Sequence, residues 1–86
     1  MEVQQLVDTI REKASFLCVG LDPDPARIPA HLGQGPEAVL RFNKAIIDAT
    51  SDLAVAYKPN VAFYEAMGAD GWAVLSETMA AIPEGC

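Results

Sequence analysis

The sequence predicts an α/β fold in which two parallel strands alternate with helices. Two unbroken apolar runs, at about residues 16–21 and 53–58, are the first observation, because such runs are typical of strands buried on both faces of a parallel sheet. The second observation is the helical spacing of apolar residues between the two runs, over about 36–50. A strand–helix–strand unit of this length implies a crossover connection and therefore parallel strands.

The first half of the chain is expected to contain a helix, a strand and a long loop. Apolar residues at helical spacing predict an amphipathic helix over about 2–14, ahead of the first strand. Residues 22–36 hold four prolines and two glycines, and this composition predicts a loop. Pro36 suits the first turn of the next helix, which is expected to run to about Thr50.

The second half is expected to contain a strand followed by two helices. Asn60 is placed to cap a short helix over 61–67, and Gly68 is placed to end it. Asp70 is expected to cap a last helix. The inward face of that helix is predicted to carry Trp72, Leu75, Met79 and Ile82.

Length and composition limit the classes of function. Eighty-six residues form one domain at most, and 51% apolar residues argue against disorder. A net charge of −6, with the six basic residues scattered, argues against nucleic acid or an anionic membrane surface as a partner. A small anionic ligand in a local positive pocket remains compatible with this charge.

The lack of a signal-peptide pattern and the spacing of the two cysteines favour a reducing compartment. The first residues lack a basic region followed by an apolar stretch, so no signal peptide is expected, and no apolar run approaches a membrane span. Cys18 and Cys86 have neither disulfide-framework nor metal-ligand spacing, which predicts a cytoplasmic protein without a metal site. Cys18 is expected to be a small buried hydrophobic residue.

Two parallel strands are too few to form a self-sufficient sheet. They leave hydrogen-bonding edges unpaired and apolar faces uncovered. We therefore expect residues 1–86 to form a single partial domain. It would assemble with other copies of itself or with the remainder of a larger fold.

Two charged residues stand where the predicted strands end, each followed by a proline. These are Asp22 and Lys58. Parallel α/β folds place their chemistry at the carboxyl ends of strands, and neighbouring strands lie about 4.8 Å apart. If the two strands are neighbours, the carboxylate and the ammonium meet at one edge of the sheet.

Each of these residues has more than one interpretation. Asp22 is suited to binding a sugar hydroxyl, a metal or a lysine, or simply to capping a turn, since Asp-Pro is common in turns. Lys58 interrupts an apolar strand, and a buried ammonium requires an anionic partner, for which Asp22 is the nearest candidate. Its roles include binding a substrate hydroxyl or phosphate, pairing with an acid, or forming a Schiff base. Alternatively it is a surface lysine.

Three segments of the chain resemble orotidine 5′-monophosphate decarboxylase of the longer bacterial subgroup, in its N-terminal part. They are Cys18-Val-Gly-Leu-Asp22-Pro23, Arg41-Phe-Asn-Lys and Ala56-Tyr-Lys58-Pro59-Asn60-Val-Ala-Phe-Tyr-Glu65. The resemblance implies the first two units of a (β/α)₈ barrel, preceded by an extra helix. It also implies a dimeric lyase that decarboxylates orotidine monophosphate to UMP in pyrimidine biosynthesis, with no cofactor.

The resemblance also implies roles for the two charged residues. Asp22 resembles the aspartate of the first strand, which hydrogen-bonds the ribose of the nucleotide. Lys58 resembles the lysine of the second strand, which contacts the ribose and belongs to a catalytic Lys-Asp-Lys-Asp network. The Asp-x-Lys-x-x-Asp motif that supplies the proton-donating lysine and the other acids is absent from these 86 residues. The chain alone is therefore expected to be inactive.

Two other interpretations remain open at the level of sequence. One is a non-catalytic structural module that builds a sheet by self-assembly, in which Asp22 and Lys58 form a structural pair. The other keeps the barrel but changes the reaction, because related sugar-phosphate decarboxylases and synthases also carry Asp and Lys at these strand ends.

Overall fold

The fold was obtained as a computed structural model, which describes residues 2–84 and 86. Two parallel strands and four α-helices form one unit. In chain order they are α1 (Val3–Lys13), β1 (Leu17–Leu21), α2 (Gly35–Thr50), β2 (Ala54–Pro59), α3 (Val61–Glu65) and α4 (Ala69–Ala81). Two short 3-10 turns, Pro25–Arg27 and Ala30–Leu32, interrupt the proline-rich loop between β1 and α2.

The two strands pair in parallel, as the strand–helix–strand pattern predicts. Gly20 lies opposite Lys58 and Leu21 lies opposite Pro59, and an irregularity interrupts the register after Leu17. Both strands therefore end at the same edge of the sheet. Because the chain leaves β1 at Asp22, the two charged residues of the sequence prediction lie at this edge.

The hydrophobic core lies among the helices. Its buried centre consists of Val39 of α2, Tyr64 of α3, and Val74 and Leu75 of α4. The strands contribute less, since β2 buries Ala54 and Val55 while β1 buries Leu21 at its carboxyl end.

The prediction that β1 is buried on both faces is wrong for this structure, and so is the burial of Cys18. Cys18 is exposed, and Leu17 exposes 42% of its surface. Phe16, just ahead of the strand, is 86% exposed, and Leu53 at the start of the second apolar run is 53% exposed. The physical reason is that, within residues 2–84 and 86, β1 has a single neighbouring strand and the helices form their core elsewhere.

The predicted caps are partly confirmed. The Asn60 side chain accepts a hydrogen bond from the Ala62 amide at 3.2 Å, and the turn after α3 ends at Gly68, which has a φ of 69°. Asp70, however, does not cap α4. The helix begins at Ala69, two residues earlier than a cap at Asp70 implies, and Asp70 lies in its first turn, where its negative charge still suits the helix dipole.

The predicted inward face of α4 is wrong for two of its four residues. Trp72 and Met79 are exposed, whereas Leu75 is buried and Ile82 is partly buried. The residues that α4 buries are Gly71, Val74, Leu75 and Thr78. The physical reason is a close contact of α4 with α3, in which Gly71 lies against the backbone of Tyr64.

Candidate functional site

The candidate site is the edge of the sheet at which both strands end. Lys58 is the fifth residue of β2, and Asp22 lies two residues beyond Gly20, its register partner. With a strand spacing of about 4.8 Å and a rise of about 3.3 Å per residue, the two Cα atoms are roughly 8 Å apart. Both side chains are exposed. The arrangement presents an anionic and a cationic group to the same space.

The two groups do not neutralise each other directly. Among residues 2–84 and 86, the ion pairs join Arg27 to Asp24 at 3.8 Å and Arg41 to Glu37 at 3.3 Å. The expectation that a buried Lys58 ammonium requires Asp22 as its partner is therefore wrong here. Lys58 is exposed, so water solvates its charge. A polar group placed between Lys58 and Asp22 has access to both.

A buried polar network lies directly behind this edge, and the sequence interpretation missed it. The hydroxyl of Tyr64 donates a hydrogen bond to the backbone carbonyl of Leu21 at 2.8 Å. The side-chain amide of Asn43 donates to the Tyr64 oxygen at 3.1 Å and to Thr78 Oγ1 at 3.0 Å. Each of these three side chains exposes 1% of its surface or less. The network joins α2, α3 and α4 to the last residue of β1.

The pKa of Tyr64 is raised above its ordinary value by the surroundings of the phenol. Burial raises the pKa of this phenol, the hydrogen bond from Asn43 lowers it, and the negative charge of Asp22 raises it further. Asp22 is therefore within electrostatic range of the buried hydroxyl. Tyr64 stays protonated at neutral pH and acts as a hydrogen-bond donor.

A pattern in the sequence signals this network. Asn43 falls between Val39 and Ile47 at a spacing of four residues, on the buried face of α2. A polar side chain at such a position needs a buried partner. The partners come from distant segments, however, and the sequence alone does not identify them.

A second missed interaction lies at the opposite end of the strands. The ammonium of Lys13, at the end of α1, donates hydrogen bonds to the carbonyl oxygens of Ser51 and Ala54, at 2.8 and 2.7 Å. These contacts attach the N-terminal helix to the beginning of β2. They have no contact with the candidate site.

A cleft of about 450 Å³ adjoins the site, between the proline-rich loop and α3. Its lining is mainly apolar, and neither Asp22 nor Lys58 belongs to it. The lining residues are Pro23, Asp24, Pro25, Ala62, Phe63, Ala66 and Met67. Within the part of the chain that the structure describes, no group of three acidic, histidine or cysteine side chains is placed to hold a metal ion. None of the helices there has the length and apolar character needed to cross a membrane.

The fold and the site define a class of protein segment. Parallel strands joined through a helix, with opposite charges at their carboxyl ends and exposed apolar residues on the strands, are typical of part of a parallel α/β enzyme domain. Comparison with known proteins shows which proteins the chain is similar to. No family model matches the chain, but individual proteins match it over nearly its whole length.

The related sequences are orotidine 5′-phosphate decarboxylases. The chain is 57% identical over 84 residues to the enzyme of Flavobacterium johnsoniae and 52% identical over 84 residues to that of Bacteroides fragilis. Each match covers 98% of this chain and 31% of the relative. The chain thus spans about a third of the length of the curated relatives that it matches.

Solved structures of orotidine monophosphate decarboxylases also match this chain. A crystal structure described as an orotidine-monophosphate decarboxylase from Toxoplasma gondii matches 93% of this chain, and 27% of its own, with a TM-score of 0.84 and 38% identity. The orotidine monophosphate decarboxylase of Leishmania donovani matches 93% of this chain, and 30% of its own, with a TM-score of 0.72 and 43% identity. The chain is therefore related, in sequence and in structure, to one segment of orotidine 5′-phosphate decarboxylase.

Proposed function

We propose that this chain supplies the ribose-binding edge of an orotidine 5′-phosphate decarboxylase, in which Asp22 and Lys58 bind the sugar of the nucleotide. The whole enzyme would convert orotidine monophosphate to UMP in pyrimidine biosynthesis, in the cytoplasm. The observation that carries the proposal is the placement of both charged residues at the carboxyl end of two paired parallel strands, in a chain related to that enzyme.

The chemistry of the two groups fits a sugar ligand. A carboxylate accepts hydrogen bonds from neighbouring hydroxyls, and an ammonium donates to their oxygen atoms. The roughly 8 Å between the two Cα atoms leaves room for such a ligand between the side chains. Because Asp22 and Lys58 form no ion pair with each other, binding a hydroxyl does not require breaking one.

Decarboxylation itself needs groups that these 86 residues do not contain. The carbanion formed when carbon dioxide leaves must be stabilised and protonated, and a positioned ammonium within a network of charges serves this purpose. Lys58 would contribute one charge to that network. The sequence contains no Asp-x-Lys-x-x-Asp motif to provide the others. We therefore expect no turnover from the 86-residue chain alone.

A chimera tests the proposal. The matching segment of the Flavobacterium johnsoniae enzyme, 57% identical to this chain, is replaced by residues 1–86. Decarboxylation of orotidine monophosphate is then followed by the change in ultraviolet absorbance. We expect an active chimera, and a loss of at least tenfold in kcat/KM for Asp22→Asn and for Lys58→Met, since a hydrogen bond to a charged group contributes about 1.5–3 kcal/mol.

Lys44→Met is the matched control, because Lys44 is an exposed lysine of α2, away from the strand ends. It should leave kcat/KM within about twofold. An active chimera whose kcat/KM is unchanged by Asp22→Asn and Lys58→Met would exclude the proposed roles. Rapid turnover by the 86-residue chain alone would contradict the expectation of an incomplete site.

A structural module that assembles with itself is the second candidate, and the exposed apolar residues of the strand segments favour it. Phe16, Leu17 and Leu53 are all exposed, and covering them with a partner would be favourable. Assembly with the remainder of a barrel and formation of a homo-oligomer both accomplish this. Native mass spectrometry of the 86-residue chain distinguishes a stable oligomer from a monomer.

A further inference from the structure

We propose that the buried hydroxyl of Tyr64 positions Asp22 for its ligand, and that Asn43 and Thr78 hold this hydroxyl in the required orientation. The inference rests on the proposed function, in which Asp22 binds the ribose. Tyr64, Asn43 and Thr78 are positioning residues. They lie behind the sheet edge and act through the backbone of Leu21.

Tyr64 contacts the carboxyl end of β1. Leu21 is the last residue of the strand and is 2% exposed, so its carbonyl group needs a hydrogen-bond donor inside the protein. The Tyr64 hydroxyl provides one at 2.8 Å. This carbonyl belongs to the peptide unit that joins Leu21 to Asp22. Its orientation therefore determines the direction in which the chain presents the Asp22 side chain.

The direction of the hydrogen bonds determines which group receives the Tyr64 hydroxyl proton. Asn43 donates to the oxygen of Tyr64, so the hydroxyl proton of Tyr64 is available to Leu21. The same amide nitrogen also donates to Thr78 Oγ1. Asn43 Oδ1 is buried without a hydrogen-bond partner among the described residues. An unpaired buried acceptor is unfavourable. The two hydrogen bonds that the Asn43 nitrogen donates offset this cost and keep the amide in its orientation.

The backbone on the other side of Asp22 is also fixed. Pro23 is almost fully buried, and its ring restricts the backbone dihedral φ. Asp22 is thus an exposed residue between two buried ones. Its carboxylate is close enough to Tyr64 to contribute to the raised pKa of the phenol. A shift of the Leu21 carbonyl would therefore be transmitted to Asp22 directly.

Tyr64 lies shortly after β2 in the chain. Asn60, which caps α3, follows Lys58 by two residues, and Tyr64 lies in the same short helix. One helix therefore continues from the end of β2 and, through Tyr64, contacts the end of β1. The hydroxyl of Tyr64 fixes the two strand ends relative to each other, and with them the two proposed ribose ligands.

Tyr57 offers a matched control. Its hydroxyl is also within hydrogen-bond distance of two groups, Thr50 Oγ1 at 2.8 Å and the Ile47 carbonyl at 3.3 Å. Both partners lie near the end of α2, and neither belongs to the network behind Asp22. Tyr57→Phe and Tyr64→Phe thus remove the same chemical group, and only the second removal affects the peptide unit next to Asp22.

The test in the chimera is kinetic. We expect Tyr64→Phe to raise KM for orotidine monophosphate by about five- to tenfold with little change in kcat, because the lost hydrogen bond weakens substrate binding through Asp22. Tyr57→Phe should leave KM within about twofold. In an Asp22→Asn background, Tyr64→Phe should have no further effect. Thr78→Ser should preserve KM, and Thr78→Val should raise it.

A second measurement uses the 86-residue chain and does not depend on activity. In a nitrogen–proton correlation spectrum, Tyr64→Phe should shift the Asp22 amide signal, whereas Tyr57→Phe should leave it in place. An unchanged Asp22 signal, or equal effects of the two tyrosine variants on KM, would overturn the positioning role. If the chimera is inactive or insensitive to Asp22→Asn, the proposed ribose site fails, and the spectrum still decides whether Tyr64 positions Asp22.

Discussion

Gly71→Ala is expected to destabilise the protein, because Gly71 lies where α4 contacts α3. The added methyl carbon would overlap the carbonyl oxygen of Tyr64. It would also lie 2.7 Å from the carbonyl carbon of Tyr64 and 2.9 Å from Met67 Cβ. Carbon atoms that are not bonded pack at about 3.5–4.0 Å. The two helices must therefore separate by at least about 1 Å.

The size of the effect follows from two opposing terms. Overpacking a core typically costs about 1–3 kcal/mol, and the upper part of this range applies because the atoms that collide belong to the backbone. An alanine is more favourable than a glycine within a helix by about 1 kcal/mol. We therefore expect a net loss of about 2 kcal/mol. For a chain of 86 residues, this lowers Tm by roughly 8–16 °C.

Urea and thermal unfolding, followed by the circular dichroism of the helices, measure this loss. Gly20→Ala is the control, because a methyl group there lies 3.7 Å from its nearest neighbour, Asp22 Oδ2, which is an ordinary contact. This control should change stability by less than about 1 kcal/mol. A Gly71→Ala variant as stable as the parent chain would refute the close contact between α3 and α4. It would also remove the explanation for the orientation of α4.

Two further predictions concern stability. Lys13→Met should lower the free energy of unfolding by about 2 kcal/mol, because it leaves the Ser51 and Ala54 carbonyls without their charged donor. Urea unfolding measures this loss, and an equal loss in Lys44→Met would contradict the prediction. Burial raises the pKa of Tyr64, so the stability linked to its proton is complete below about pH 10 and is lost as the pH rises through the pKa of the folded state. The urea midpoint should therefore fall as the pH rises above about 10, and less so for Tyr64→Phe; identical pH dependence of the two proteins would argue against a buried phenol.

The sequence predicts the elements and the strand pairing well because both depend on local patterns. Apolar runs give the strands, and the helix between them implies parallel pairing, which the structure confirms. The cap at Asn60 also follows from local chemistry, whereas α3 ends at Glu65, ahead of the predicted stop at Gly68. The placement of Asp22 and Lys58 at one edge is a direct consequence of these elements.

The orientation of α4 is not predictable in the same way. Reading the helix by its largest apolar residues places Trp72 and Met79 inside, yet both are exposed. The contact with α3 requires a residue without a side chain, so Gly71 sets the buried face. Information about a partner helix that is distant in the sequence is needed to recognise this.

The buried network behind the site shows a second limit of sequence interpretation. Tyr64 lies 21 residues after Asn43 in the chain, and Thr78 lies 35 residues after Asn43. Each has an ordinary local interpretation as a helix residue. Their common function depends on tertiary packing that brings three helices to the end of one strand, which no local pattern specifies.

The most direct test of the central claim is a crystal structure of the chimera with UMP bound. We expect a carboxylate oxygen of Asp22 and the Lys58 ammonium to lie within about 3.2 Å of hydroxyl oxygens of the ribose. The Tyr64 hydroxyl should still donate to the Leu21 carbonyl. A nucleotide bound with its ribose away from both strand ends, and with Asp22 and Lys58 facing only water, would contradict the account.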